Sequence, residues 1–184
     1  MILSSGSFNS DGSIPKRFSG EGSDISPELE WSEIPEGTKS FAILCEDPDA
    51  PVRPGKDHPF IHWVIYNIPE NVSYLGEGVV QSERVVLPVF LDQGINSFGK
   101  IGYGGPLPPV GDGIHHYHFT LYALDLPVGI PAGLTKAKVL RFMGRHILAT
   151  AQLIGTYERM PQKPLRPEGK NQFVPRESAA FKSN

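Results

Sequence analysis

The residues best suited to chemistry fall in two proline- and glycine-rich loops and the apolar runs beside them. Asp47-Pro48-Asp49-Ala50-Pro51 sets two carboxylates in a stiff loop, and His62 follows in the run Phe60-Ile61-His62-Trp63-Val64-Ile65-Tyr66. Farther along, Gly102-Tyr103-Gly104-Gly105-Pro106-Leu107-Pro108-Pro109 precedes His115-His116-Tyr117. Proline fixes φ at about −65° and glycine admits positive φ, so such loops can hold side chains at one defined place. Two acids near histidines could serve acid and base catalysis, a metal, or an anion pocket. In the last case imidazole N–H groups donate to phosphate or carboxylate oxygens, while a carboxylate behind the ring fixes its tautomer.

Other chemistries find weaker support. Gly94-Ile95-Asn96-Ser97-Phe98-Gly99-Lys100 has the glycine and lysine spacing of a phosphate-binding loop, but Ile101 stands where Ser or Thr should reach magnesium. The Gly102-Tyr103-Gly104-Gly105-Pro106 segment that follows cannot continue the helix the motif requires. There is no Gly-x-Ser-x-Gly elbow, and Cys45, the only cysteine, lies in an apolar run where a thiol is usually inert. His116 and His118 share a strand face and could chelate a metal with a distant carboxylate, although histidines satisfied by one hydrogen bond or by solvent are the commoner case. No metal and no cofactor are expected.

These residues need strands to position them. The chain has 184 residues with 20 Gly and 18 Pro, a composition of many turns between short strands. A chain of this length can bury about 70% of its unfolded surface. Ser40 to Glu46 and Phe60 to Asn67 read as buried strands, with His62 sharing a face with Phe60, Val64 and Tyr66 if alternation holds. Glu83 to Leu91 is a further strand, confined by Pro88 to an edge or bulge. From His116 to Leu124 the alternation is clean, putting His115, Tyr117, Phe119, Leu121 and Ala123 on one face. Val139, Leu140, Met143 and Ile147 have helical spacing, so one helix is expected over 135–148, with Thr135 as N-cap and Lys136, Lys138 and Arg141 facing water. A strand from Ala149 to Glu158 follows. Residues 1–160 are expected as one domain. Residues 161–184 are either a disordered tail or an arm packed on a second copy, which would make a homodimer.

The formal net charge is −3, and no basic run suggests nucleic acid as a partner. No apolar stretch approaches the roughly 18 residues needed to span a bilayer as a helix. With one cysteine and an N-terminus unlike a signal peptide, a cytoplasmic location is expected.

Taken together, Asp47-Pro48-Asp49-Ala50-Pro51, His62-Trp63, Gly102 to Pro109 and His115-x-Tyr117 resemble the phosphatidylethanolamine-binding protein family. The resemblance extends through Ser26-Pro27-Glu28-Leu29-Glu30-Trp31, Phe119 to Asp125 and Gly155-Thr156-Tyr157-Glu158-Arg159, and is strongest to the bacterial and archaeal branch described as Raf-kinase-inhibitor-like. It implies a mostly β, sandwich-like fold, with a large antiparallel sheet packed on a smaller one. It also implies an anion pocket formed by Asp47, His62, Gly105, Pro106, Pro109, His115 and Tyr117. His116 departs from the arginine that the family usually carries between the histidine and tyrosine.

The resemblance and the residues together imply non-catalytic binding of a small anionic ligand or phospholipid head group, with the glycine-turn amides as further donors. In that reading Asp47 orients an imidazole and Asp49 stabilises the turn. Regulation of a protein target, such as a kinase or protease, is a role the resemblance permits. The alternative is a hydrolase that uses a histidine as general base on an ester or phosphoester.

Overall fold

The computed structural model describes residues 1–52, 55 and 59–161. Strands β1 (Ile2–Ser4), β2 (Gly12–Ser13) and β3 (Leu29–Ser32) come first, followed by the long β4 (Ser40–Asp47) and β5 (Phe60–Pro69). Short strands β6 (Tyr74–Leu75), β7 (Arg84–Val85) and β8 (Leu91–Gln93) lead to β9 (Ile114–Leu124), helix α1 (Lys136–Met143) and β10 (Ile147–Glu158). The three-stranded sheet runs β1-β3-β6, and the seven-stranded sheet runs β2-β10-β9-β4-β5-β8-β7. The large sheet is antiparallel except where β2 joins β10. The fold is thus mostly β, as expected, and among the described residues no helix is long and apolar enough to cross a membrane.

Burial explains which apolar pattern each strand carries. β4 and β5 are continuous apolar runs because both faces of the sheet centre are covered. Phe41, Ile43, Trp63, Ile65, Phe119 and Leu121 pack towards the small sheet with Leu3, Leu29 and Trp31. Ala42, Leu44, Val64 and Tyr66 pack on the other side with Val139 and Met143 of α1. β9 alternates because Tyr117, Phe119 and Leu121 are buried while His116 is exposed.

The alternation of β5 fails at two bulges. Cys45 pairs with Trp63 and Glu46 with Ile61, which leaves His62 as an extra residue. Its ring turns to Tyr117, at a centroid distance of 5.0 Å, and away from the face of Val64 and Tyr66. The expected shared face with Val64 and Tyr66 is therefore overturned, because one inserted residue reverses side-chain parity. At the second bulge Asn67 adopts φ +57°. Its side chain donates to Asp92 Oδ2 and the Ile130 carbonyl, both at 2.6 Å, and accepts the amides of Gly129 and Ile130.

Three local expectations change. The helix stops at Met143 because Gly144 interrupts it and Ile147 enters β10 opposite Leu124. Lys136 does not face water but pairs with Glu46 of β4. Glu83 to Leu91 is not one strand: β7 forms the edge of the large sheet, β8 begins only at Leu91 and lies inside the sheet between β5 and β7, and the connection between them holds a cis Leu87-Pro88 bond. Apart from Pro161, the expected tail or arm, and with it the homodimer contact, lies outside the described residues.

Asn67→Ala should destabilise the fold by about 3 kcal/mol, since it removes the partners of a buried carboxylate and three backbone groups and puts a Cβ-bearing residue without compensation at positive φ. Chemical unfolding followed by tryptophan fluorescence measures this, and a loss below about 1 kcal/mol would contradict the role given to the side chain.

Candidate functional site

Asp47 ends β4 and starts a turn that it closes with its own carboxylate. Oδ1 accepts the amides of Asp49 at 2.9 Å and Ala50 at 3.0 Å, an Asx-type arrangement. Oδ2 accepts from His115 Nδ1 at 2.8 Å. The turn-forming acid is therefore Asp47, while Asp49 accepts the His116 amide at 2.8 Å and its Nδ1 at 2.7 Å, fastening the loop to β9. This also explains what His116 does: it faces outward from Tyr117 and holds the loop.

His115 sits between two acids. Its Nε2 lies 3.3 Å from Asp112 Oδ2, so each ring nitrogen meets a group that only accepts, which favours a proton on both. Burial, the largest single influence, opposes that charge, but hydrogen bonding and charge from Asp47 and Asp112 together outweigh it and raise the His115 pKa above its usual value.

His62 is held differently. Its Nδ1 donates to the Gly104 carbonyl at 2.6 Å, which leaves Nε2 of the neutral ring as an acceptor. Phe60, Phe98 and Tyr117 rings surround it at 5.1, 5.5 and 5.0 Å. Burial is the dominant influence and lowers its pKa, only partly opposed by the Gly104 bond and the Asp47 charge. One imidazole is thus pushed towards the charged form and the other towards the neutral form.

Between them lies a cavity of about 310 Å³, lined by Asp47, His62, His115, Tyr117 and Pro109, and also by Ala50, Pro51, Phe60, Ser97, Phe98, Leu107 and Pro108. The Tyr117 hydroxyl is buried and makes no hydrogen bond of good geometry, its nearest polar neighbour being the Asp47 carboxylate already engaged with His115 and the turn amides. Burial, followed by the charge of nearby Asp47, raises its pKa far above the usual phenol value, so it is a neutral hydroxyl able to donate and accept.

Gly105 and Pro106, expected in the pocket, do not line this cavity. They build its support: the Gly105 amide donates to Asp24 at 2.6 Å, and a side chain there would collide with the Phe18 carbonyl. The Pro106 carbonyl accepts the Gly20 amide. Since Gly104 also donates to the His62 carbonyl, the amides of Gly104 and Gly105 are both occupied and cannot serve as the anticipated ligand donors.

Sequence reasoning passed over Phe60, Ser97, Phe98, Leu107, Asp112 and the second proline, Pro108. Ser97 and Phe98 lie in the segment set aside as a failed phosphate loop. There Asn96 Oδ1 accepts the amides of Phe98 and Lys100, and Ser97 Oγ accepts that of Ile61. The tight Asn-to-Gly turn was the available signal.

The phosphatidylethanolamine-binding protein family profile matches residues 4–158. The chain belongs to this family. Its bacterial and archaeal relatives include a UPF0098 protein of Chlamydia muridarum, 45% identical over 86% of this chain and 99% of its own length. A UPF0098 protein of Pyrococcus abyssi is 40% identical over 86% of each chain. The crystal structure of a phosphatidylethanolamine-binding protein homolog from Chlamydia trachomatis superposes with a TM-score of 0.76 at 42% identity, covering 86% of this chain and 97% of that one. This family member therefore shares its overall fold with a solved relative.

The opposite histidine shifts have opposite linkage. His115, raised in the fold, adds stability that is complete below the unfolded value of about 6.5 and is lost as pH rises through the folded value. His62, lowered in the fold, adds stability present above about 6.5 and lost as pH falls through its folded value. In an NMR titration His62 should titrate below about 6.5 and His115 above it, and Asp47→Asn should move His115 down towards or below that value. A His115 titration unchanged by Asp47→Asn would contradict the coupling.

Proposed function

We propose that this protein is a non-catalytic binder of small amphipathic molecules with a phosphate or carboxylate head. The observation that carries the reading is the buried, unpartnered Tyr117 hydroxyl at a cavity shared with His62 and His115. A buried polar group without a partner costs roughly 1–3 kcal/mol, a penalty a bound oxygen atom would remove. Phe60, Phe98, Leu107 and the prolines give the rest of the wall an apolar character suited to the body of the ligand. Family membership supports small-ligand binding, and the phospholipid head group is one source of such a molecule.

The protonation pattern narrows the head group. The neutral His62 offers an acceptor, so the ligand must either donate a proton to Nε2 or bring one with it. A phosphate monoester in its singly ionised form does so with P–O–H, and its second ionisation falls near pH 6. Binding then takes up or retains a proton and weakens as pH rises. Against hydrolysis, Ser97 Oγ is engaged with the Ile61 amide and neither histidine is hydrogen-bonded to it. Regulation of a kinase or protease would be a consequence of ligand occupancy, and belongs to this proposal on the strength of the family resemblance alone.

Calorimetric titration with phenyl phosphate should show binding that is tighter at pH 6 than at pH 8. Tyr117→Phe should weaken it about fivefold or more while leaving unfolding stability unchanged or raised by up to about 1 kcal/mol. No binding at either pH would overturn the assignment, as would Tyr117→Phe binding as well as the parent. Turnover of ester substrates abolished by His62→Ala would replace this reading with catalysis.

A further inference from the structure

The turn leading into β9 places a carboxylate against the one His115 nitrogen that Asp47 leaves free. Asp112 Oδ2 lies 3.3 Å from His115 Nε2, whereas charge-assisted N–H···O bonds run to about 2.7–2.9 Å. The histidine side chain is 3% exposed and that of Asp112 is 41% exposed, so the acid can return to water but the imidazole cannot. Gly111 and Gly113 flank Asp112 with φ of +82° and +90°. The turn has only long backbone bonds, Gly111 N–H to the Arg159 carbonyl at 3.2 Å and Asp112 N–H to the Pro109 carbonyl at 3.3 Å.

We propose that Asp112 is a built-in competitor for His115 Nε2, holding the position an anionic head group would take and setting the threshold for ligand entry. This rests on the anion-pocket reading above. The groups facing His115 are Asp47 from β4, Asp112 from the turn, Tyr117 beside it on β9 and Tyr157 across from it on β10. Asp49, tied to His116, adds negative charge nearby, and His62 lies behind Tyr117. Among the described residues, no Lys or Arg lines the cavity. Even with His115 charged, the trio with Asp47 and Asp112 carries one net negative charge. An anion can therefore use Nε2 only by displacing Asp112, whose exposed side chain and glycine-flanked backbone let it leave. The competitor admits ligands that offer His115 more than one carboxylate does and turns weaker anions away.

The test compares wild type and Asp112→Asn by calorimetry with phenyl phosphate at pH 6, where His115 is charged in the parent, and follows the His115 ring nitrogens by NMR. The variant should bind about tenfold more tightly, because the like charge is gone and the neutral amide oxygen that remains is a weaker competitor for Nε2 than a carboxylate. In the parent, ligand should shift Nε2 and the Asp112 carboxyl signal together. Wild-type binding with Asp112→Asn no tighter, or an Asp112 carboxyl signal unmoved by saturating ligand, would overturn the competitor and leave the pocket standing. Binding to neither protein would overturn both. Asp112→Glu, which keeps the charge, should not reproduce the gain, and a gain equal to that of Asp112→Asn would also refute the proposal.

Discussion

The hydrogen bond between Asp47 and His115 is the contact on which the site depends. It joins the last residue of β4 to the second residue of β9, strands that are neighbours in the large sheet. The same carboxylate closes the following turn, so one buried acid sets the path of the loop carrying Ala50 and Pro51 and the orientation of the imidazole. His116, one residue on and facing the other way, ties the loop to the same strand through Asp49. The cavity wall is stiff because both faces of β9 hold the loop.

Two histidines within one cavity are given different protonation by what stands behind each ring. A carbonyl behind His62 fixes a neutral tautomer in an aromatic cage. Carboxylates on both sides of His115 favour the imidazolium, despite burial. Tyr117, on the same strand face as His115 and in edge contact with His62, links the two environments and keeps a hydroxyl free at their junction. The separation of roles is a property of second partners, and it is what suits the cavity to a head group that both accepts and donates.

Much of the frame was readable from residue types. Long apolar runs at 40–46 and 60–67 meant strands covered on both sides, and the alternation of 116–124 meant a strand with one wet face, because side chains on a strand alternate every residue. The glycine- and proline-rich loops marked Asp47, His62, His115 and Tyr117, which do converge on one cavity. The same patterns misplaced Ile147, since helical spacing cannot show where a neighbouring strand claims the chain, and they hid Phe98 in a segment that resembled a nucleotide loop.

By itself the sequence determined which segments were strands, because apolar periodicity is local, and which loops were rigid, because proline and glycine act on their own φ. It also determined the family, through motifs spread along the chain. Only the tertiary structure decided which way His62 faces, since a bulge in β5 depends on its register with β4. It decided, too, that Gly104 and Gly105 spend their amides on the protein, and that Asp112 meets His115. Those choices depend on distances between residues remote in the chain or on the path of a turn, and periodicity carries no information about either.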